Sequence, residues 1–457
     1  GHRPRMTDRR SIVIHGHFYQ PPRENPATGL VPVEASAAPD HDWNARITRQ
    51  CYAPLTAARI GSGPSERQLN AFAWLSFDVG PTLLDWMERE APETITAIIA
   101  ADRESARRLG HGNAIAMPYH HIILPLASRR DKTTEVRWGL ADFRRRFGRE
   151  AAGMWLPETA VDDETLDVLA AEGVPFTVLA PHQVSRPPAH GRPARYRTSA
   201  GRWITLCLYD GPLSHDVAFR QLLQDSVVWE RSLFADPAAE VVALATDGET
   251  YGHHNTFADL ALAALLDRLA GRADARIENF ASLVARQPAT EAVALVVPSS
   301  WSCPHGVERW RADCGCSLKS ATQQGWRAPL HAAVDWLARE VHSIYELEFA
   351  ASQGDPWATR DAAGGAPDPR PAGRALERLE MERSVLRAFT SCGWFFDDFA
   401  ALEGRIVLRY AARAIALSGA EGPRLDAGFM ERLAPAMSND PALGSGPDVY
   451  RAVKGEG

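Results

Sequence analysis

The chain has little of what marks several large protein classes. It carries six cysteines in 457 residues, too few and too scattered for the disulfide framework of a small secreted protein. No uninterrupted run of about 18 apolar residues is present, so we predict no membrane-spanning helix. Basic residues are not in excess, and the formal net charge of −7 argues against a nucleic-acid partner.

The N-terminus lacks the apolar segment of a signal peptide, so we expect a cytoplasmic protein. Residues 1–5 precede Met6 and are typical of an expression remnant, so we expect Met6 to be the natural start. Hydrophobic residues make up 45% of the chain and charged residues 23%, as in an ordinary globular protein. The length allows one large domain and a smaller one.

Apolar, β-rich segments alternate with helical patterns over the first two thirds of the chain. The predicted strands are 11–14, 72–77, 114–117, 176–179, 203–208, 240–246 and 292–297, and a further apolar run ends at Pro157. The predicted intervening helices are 82–89, 92–109, 133–147, 163–171 and 257–269. This alternation predicts an α/β fold with a mostly parallel sheet, and polar clusters at successive strand ends favour a barrel.

The character of the sequence changes after Pro298. Residues 301–326 are rich in Trp, Cys and Gly and resemble a loop, and the remainder is helical, with long amphipathic helices predicted at 374–390 and 399–417. Residues 355–373 are rich in Pro, Gly and Asp and are predicted to form a mobile linker. We therefore expect a barrel domain with inserted loops at 6–326 and a helical domain at 327–457.

Two carboxylates follow apolar strands. Glu158 closes the stretch Gly153 to Glu158 (Gly-Met-Trp-Leu-Pro-Glu), in which Pro157 ends the strand. Asp247 ends the strand 240–246 and begins an acid-rich and histidine-rich cluster. Because the ends of parallel barrel strands share one face, both carboxylates should lie on one cleft. Two carboxylates near aromatic and imidazole side chains are the minimum equipment of a glycosidase.

Five stretches, in order, resemble the motifs of glycoside hydrolase family 57. They are His15 to Pro21 (His-Gly-His-Phe-Tyr-Gln-Pro), Pro118 to Leu126 with the preceding Gly112-Asn113, Gly153 to Glu158, Asp247 to Gly252 (Asp-Gly-Glu-Thr-Tyr-Gly) and, more loosely, Ser391 to Phe396. Within that family the chain is most similar to a bacterial group that carries a C-terminal domain of unknown function.

The resemblance implies an incomplete, seven-stranded parallel (β/α) barrel followed by a helical domain. It implies a retaining reaction on α-linked sugars without a required metal or organic cofactor, with Glu158 as nucleophile and Asp247 as acid/base. An oligosaccharide or polysaccharide would be the partner. The expected substrate-binding residues are His15, His17, Gln20, His120, His121, Trp155, Glu249, Tyr251, Trp301, His305 and Trp394.

Four soft ligands lie close together in sequence: Cys303, His305, Cys314 and Cys316. Sulfur and imidazole at this density are compatible with structural zinc, but the spacing differs from the usual Cys-x2-Cys. We expect reduced loop thiols, with His305 facing the cleft, rather than a metal site.

Three functions compete on the sequence alone. The first is the retaining α-glycoside hydrolase or transglycosylase, since hydrolysis, 4-α-transfer and branching use the same two carboxylates. The second is a metal-dependent hydrolase or deacetylase of a carbohydrate, with His15, His17, Asp247 and His253 as ligands. The third is a carbohydrate-binding protein without catalysis, against which the presence of both carboxylates argues.

Overall fold

The structure is a computed structural model, and it describes residues 9–219, 222–351 and 354–456. Residues 1–5 and the proposed start at Met6 lie outside the described residues. None of the described helices is long and apolar enough to cross a membrane.

The described residues form ten strands: β1 Arg10–Phe18, β2 Ala58–Ile60, β3 Arg67–Leu69, β4 Ser76–Val79, β5 Ala114–Ile115, β6 Phe176–Leu179, β7 Ala194–Arg197, β8 Trp203–Leu208, β9 Val241–Asp247 and β10 Ala275–Ile277. β1 pairs in parallel with β9 on one side and with β4 and β10 on the other, and β4 continues to β5. β6 pairs in parallel with β8, which also pairs with the antiparallel β7.

Single residues join these two sheets into one curved wall. Met154 bridges in parallel to Ala116 beyond β5 and to Thr177 in β6. At the other edge, the Asp210 N–H after β8 donates to the Ala243 carbonyl of β9 at 2.7 Å. The α/β class with a parallel, barrel-like sheet is therefore confirmed, and the number of seven strands remains a prediction.

The side chains along each strand point alternately into two apolar layers. Val13, Ile115, Val178 and Ala243 belong to a small cluster inside the wall, and their sequence neighbours, such as Ile14, belong to the large cluster under the surrounding helices. Side chains of a strand point alternately to the two faces. His15, His17 and Asp247 share the parity of Val13 and Ala243, so they point inward above this cluster.

The helices of the barrel region are α1 Trp43–Ile47, α2 Ala53–Thr56, α3 Pro81–Glu90, α4 Pro92–Leu109, α5 Arg129–Phe147, α6 Asp163–Ala171, α7 Gly211–Phe219, α8 Ser226–Ser232, α9 Ala258–Ala270 and α10 Phe280–Arg286. A π-helical turn, Thr48–Tyr52, connects α1 to α2. Both ends of α5 carry residues that favour a helix terminus: Ser128 caps the N-terminus, and Gly148 ends the helix in the left-handed conformation.

The C-terminal region contains α11 Arg327–Ala350, α12 Pro356–Ala363, α13 Arg374–Arg387, α14 Cys392–Phe395, α15 Leu402–Ala416, α16 Gly422–Leu433 and α17 Gly446–Gly455. These helices share a separate apolar cluster, which also includes Cys303, Trp310 and Trp326 from the preceding loop. The boundary at 326/327 remains a proposal, and this loop packs with the helices that follow it.

Three sequence predictions are wrong in whole or in part. The strand predicted at 72–77 begins only at Ser76, because Ala71–Ala73 form a 3₁₀ turn. Residues 292–297 form no strand: only Ala292 and Leu295 make single bridges, and Val296 and Val297 are about half exposed. Apolar composition alone does not distinguish a covered strand from an extended surface segment. The supposed mobile linker contains α12, whose Arg360 is fully buried and donates to Glu382 and to Asp131 at 2.7 and 2.9 Å. A buried, paired guanidinium fixes this segment to its neighbours.

Candidate active site

Strand register places three polar side chains next to one another. His17 of β1 lies opposite Asp78 of β4 on one side and opposite Asp247 of β9 on the other. Residues in register on parallel strands point to the same face, so the three side chains form a row at the carboxyl end of the sheet. This is the edge of an α/β barrel at which reactive groups are mounted.

Asp78 binds both histidines of β1. One carboxylate oxygen accepts from His15 Nε2 at 2.8 Å and the other from His17 Nδ1 at 2.6 Å. The Ser76 hydroxyl donates to His15 Nδ1 at 2.8 Å, which leaves His15 without a free ring nitrogen. Burial is the main cause that lowers the pKa of His15, so it is neutral. His15 and Asp78 are fully buried and act as supports rather than as contacts for a ligand.

His17 carries the positive charge of this row. Burial alone lowers the pKa of His17, but the carboxylates of Asp78, Asp247 and Glu249 outweigh it and raise the pKa to about 9. His17 Nε2 donates to His121 Nε2 at 3.1 Å. Burial and the charge of His17 lower the pKa of His121, which is therefore the neutral acceptor.

A contact from the helical region completes this chain. His121 Nδ1 donates to the Ser391 hydroxyl at 2.7 Å, and the Ser391 N–H donates to the His121 carbonyl at 3.0 Å. His121 has a left-handed backbone, with φ of 53°, and its ring stacks on Tyr19 at 3.7 Å. The fifth motif thus meets the first and second at the cleft.

Glu158 lies in a short 3₁₀ turn, Pro157–Thr159, after the Met154 bridge. Its backbone is left-handed, with φ of 57°, a conformation that is costly for a residue with a Cβ and is often found at functional sites. Trp301 Nε1 and the Ser302 hydroxyl both donate to Glu158 Oε2, at 2.9 and 2.7 Å. Among the described residues, none donates to Oε1.

Asp247 has a different environment. The residue is exposed to the cleft, but surrounding protein limits the hydration of its carboxylate. This desolvation raises the pKa of Asp247 to about 7 against the opposing charge of His17, and the negative charges of Glu249 and Glu158 add to it. The charge of Glu158 therefore acts on Asp247. Asp247 is therefore poised to be protonated near neutral pH, beside a carboxylate held by two donors.

A buried polar cluster lies behind Asp247. The Tyr52 hydroxyl donates to Glu249, and Gln20 Nε2 lies 3.4 Å from the same carboxylate oxygen. Arg23 donates to the Gln20 amide oxygen at 2.9 Å, which fixes the orientation of that amide. Burial raises the pKa of Glu249. The charge of Glu249 thus helps to raise the pKa of Asp247, and both Gln20 and Glu249 are almost inaccessible to solvent.

Several expected contacts with substrate are corrected by burial. Trp155 is fully buried and stacks under His15 and His17 at 4.8 and 5.2 Å, so it supports the histidines. Tyr251 is fully buried and stacks on Trp229. His120 is fully buried, and its Nδ1 bonds Glu135 at 2.7 Å. Half-buried Trp301 remains a candidate platform, with its ring edge-on to that of Trp155 at 5.2 Å.

One further expectation places the side chain wrongly. Trp394 is almost fully buried in the helical cluster and donates to the Arg327 carbonyl at 3.2 Å, because its motif turns into the helical core. His305 is exposed and its Nδ1 lies 3.5 Å from Cys316 Sγ, so a contact between His305 and substrate stays a prediction.

The ligand set of the metal-dependent alternative is not assembled. Both nitrogens of His15 are occupied, and His253 bonds Gln50 at 2.7 Å. Over the part of the chain that the structure describes, the one group of three or more possible metal ligands within reach of one another is Cys303, His305, Cys314 and Cys316.

Sequence reasoning missed Asp78, Ser302 and Ser391. Asp78 had a signal, since it is a lone carboxylate within the apolar run Ser76–Val79. Ser302 gave none, and Ser391 was marked only as the first residue of the loosest motif. They reach their partners over 144 and 270 residues of sequence. Only the folded chain brings these hydroxyls to the carboxylate and the imidazole.

Comparison with known proteins agrees with the motifs. The family model "Glycosyl hydrolase family 57" matches residues 16–284, and the model "Domain of unknown function (DUF3536)" matches 323–367 and 363–455. A 4-alpha-glucanotransferase from Thermococcus litoralis is 23% identical over 176 residues, which are 38% of this chain and 26% of that protein. An alpha-amylase from Pyrococcus horikoshii is 22% identical over 177 residues, 38% of this chain and 27% of that protein. The chain thus spans about a quarter of the length of these curated relatives.

Solved structures have the same fold. The exo-type maltose-forming amylase of Pyrococcus sp. ST04 is similar with a TM-score of 0.71 and 14% identity, over 97% of this chain and 88% of that one. The branching enzyme of Thermococcus kodakaraensis gives a TM-score of 0.56 and 11% identity, over 98% and 94%. Since the family match covers more than half of the chain, the chain belongs to glycosyl hydrolase family 57.

Proposed function

We propose that the chain is a retaining α-glycoside hydrolase or transglycosylase that acts on α-linked glucans, with Glu158 as nucleophile and Asp247 as acid/base. The observation that carries this proposal is the contrast between the two carboxylates of one cleft. Asp247 has a pKa raised to about 7, and Glu158 is held through Oε2 by two donors. Such a pair divides the acid and nucleophile roles between two groups.

In the first step, protonated Asp247 donates to the glycosidic oxygen while Glu158 Oε1 attacks the anomeric carbon. The leaving sugar departs with that proton, and a glycosyl ester forms on Glu158. In the second step, the Asp247 carboxylate takes a proton from water or from a sugar hydroxyl, whose oxygen displaces Glu158. Two inversions at carbon retain the configuration. Hydrolysis and transfer differ only in the acceptor.

Trp301 is the candidate stacking surface, and charged His17, whose two N–H groups donate to Asp78 and His121, supplies a positive charge beside the reacting bond. The curated relatives carry the names of a 4-alpha-glucanotransferase and alpha-amylases, which supports an α-glucan as substrate. A polysaccharide partner and a cytoplasmic location belong to the same proposal.

The test compares wild type, Glu158→Gln and Asp247→Asn on maltoheptaose, amylose and glycogen. Each variant should lower turnover by at least about a thousandfold with the fold intact, because each step needs both groups. Glu150→Gln is the matched control, since this carboxylate is 74% exposed and pairs with Arg144 at the surface. A correctly folded Glu158→Gln protein with near-normal turnover contradicts the assignment.

The products identify the reaction. Shorter glucans indicate hydrolysis, a ladder of longer ones indicates 4-α-transfer, and new α-1,6 branch points indicate branching. An activated fluorinated glycosyl donor should leave a covalent sugar on the peptide that contains Glu158, detected by mass spectrometry. An adduct on another residue contradicts the proposed nucleophile.

A further inference from the structure

The loop that follows the barrel brings four soft ligand atoms together. Cys303 Sγ lies 3.9 Å from both Cys314 Sγ and Cys316 Sγ. His305 Nδ1 lies 3.9 Å from Cys303 Sγ and 3.5 Å from Cys316 Sγ. All four ligand atoms lie within 4.8 Å of one another. Their residues come from the two ends of a fourteen-residue segment, so the chain folds back to collect them.

These separations are those of a tetrahedral zinc site. Zn–S bonds of about 2.3 Å and Zn–N bonds of about 2.0–2.1 Å place neighbouring ligand atoms roughly 3.5–3.8 Å apart at the tetrahedral angle. A disulfide instead requires sulfur atoms about 2.05 Å apart. The observed contacts of 3.5–3.9 Å therefore fit ligands around one ion and do not fit a disulfide at Cys303, and all three cysteines are free.

The backbone of the loop is built for this arrangement. Gly315 separates Cys314 from Cys316 and has φ of 85°, a conformation that L side chains rarely adopt. This residue turns the chain so that both flanking thiols face the same point. Cys303 is 3% exposed and belongs to the apolar cluster of the helical region, whereas His305 is exposed and offers a path of entry.

We propose that Cys303, His305, Cys314 and Cys316 bind one zinc ion as a structural site. Binding would convert three thiols to thiolates, release three protons to solvent, and use the neutral imidazole through Nδ1. Four protein ligands complete the tetrahedron, so no position remains for water and the site is closed rather than catalytic. The Cys-x-His and Cys-x-Cys spacings are both shorter than the usual Cys-x2-Cys. Between Cys314 and Cys316, the left-handed backbone of Gly315 makes the tight turn that the shorter spacing requires.

The site lies next to the candidate nucleophile. Cys303 directly follows Trp301 and Ser302, which donate to Glu158. At the other end of the loop, Arg327 donates to the Cys316 carbonyl at 2.7 Å and to the Trp394 carbonyl at 2.9 Å. The ion would hold both ends of the loop together and so position the two donors. This consequence, unlike the metal site itself, rests on the proposed role of Glu158.

The first test is the metal content of the full chain, purified under reducing conditions without chelator or added zinc. Wild type should hold about one zinc per chain by elemental mass spectrometry. Cys314→Ser and Cys316→Ser should each lose most of it. Cys207→Ala is the control, since Cys207 is a buried cysteine of the barrel interior and should leave the zinc content unchanged. Less than a tenth of an equivalent in wild type overturns the proposal.

A second readout does not depend on the variants folding. After removal of zinc from wild type, added Co²⁺ should give thiolate charge-transfer bands and the intense visible bands of a tetrahedral ion, and zinc should abolish them. Octahedral Co²⁺ bands, or the absence of thiolate charge-transfer bands while all thiols remain titratable, overturn the proposal. An inactive wild-type protein that holds one zinc supports the metal site and contradicts only the proposed enzyme function.

Discussion

At the scale of single residues, the ionisation of Asp247 determines the pH at which the proposed reaction runs. Asp247 must be protonated in the first step, and its pKa is raised to about 7. Because only the protonated form of Asp247 reacts, kcat/KM on a glucan should fall about tenfold per pH unit as the pH rises above about 7. Steady-state kinetics between about pH 5 and 9 will measure this limb.

A substrate that needs no acid provides the control. A glycosyl fluoride has a good leaving group, so its first step should lack the alkaline limb, and Asp247→Asn should lose far less activity on it than on maltoheptaose. An alkaline limb that persists in the folded Asp247→Asn variant would assign the titration to another group.

Asp78 is the residue on which the histidine row depends. It is fully buried and accepts from both His15 and charged His17. Asp78→Asn should destabilise the protein by about 3–5 kcal/mol, because it leaves a buried imidazolium without its counter-charge. Ser76→Ala, which removes a neutral donor to His15, should cost about 1–3 kcal/mol. Urea unfolding at pH 7 measures the free energy of unfolding of both variants. Equal losses of stability would show that the charge of Asp78 is not the reason for its contribution.

The sequence identifies residues whose role depends on their position at the end of a strand. It does not identify how deeply a side chain is buried in the fold. Glu158, Asp247 and His17 were found because each follows an apolar strand run. Trp155 and Tyr251 lie in the same motifs, but they turn into the barrel interior and onto Trp229, and are fully buried. Membership of a motif does not determine which face of the sheet a side chain occupies. The motifs therefore predict more aromatic contacts with substrate than the fold allows.

At the scale of elements, the junction of β9 with the following turn requires Gly248. A Cβ at this position would lie 2.2 Å from the Phe18 ring, against 3.6 Å from the nearest atom at Gly271. Phe18 is almost fully buried, so its ring has little room to move. Gly248→Ala should therefore destabilise the protein by about 1–3 kcal/mol and lower turnover, because Asp247 is the preceding residue.

Gly271→Ala is the matched control for that substitution, since Gly271 follows α9 with ordinary space around it. It should change stability and turnover little. Urea unfolding and the rate on maltoheptaose measure both effects. If Gly248→Ala is as stable and active as Gly271→Ala, close packing of Phe18 does not fix the position of Asp247.

At the scale of the whole molecule, one buried ionic network joins the barrel to the helical region. His342 of α11 bonds Asp131 of α5 at 3.1 Å and Glu382 of α13 at 2.9 Å, and Arg360 of α12 bonds the same two carboxylates. Four helices from both regions thus share one set of charges. Removing one partner leaves buried charges unpaired, which costs about 3–5 kcal/mol.

The pH dependence of this network is set by His342. Burial alone lowers the pKa of His342, but the charges of Glu382 and Asp131 outweigh it and raise the pKa to about 10. A raised pKa contributes stability that is fully present below the unfolded value of about 6.5 and is lost as the pH rises through about 10. The free energy of unfolding of His342→Gln should therefore differ most from wild type near pH 6, and the difference should shrink steadily towards pH 10.

Urea unfolding of both proteins at several pH values measures that difference. His215→Gln is the control, because its side chain is 55% exposed and any change should be small at every pH. A difference that stays constant from about pH 6 to pH 10 would mean that His342 contributes by packing and not by charge. A difference that shrinks would mean that an ionised histidine joins the barrel to the helices, so that alkaline conditions loosen the support of Ser391 and of the cleft it helps to form.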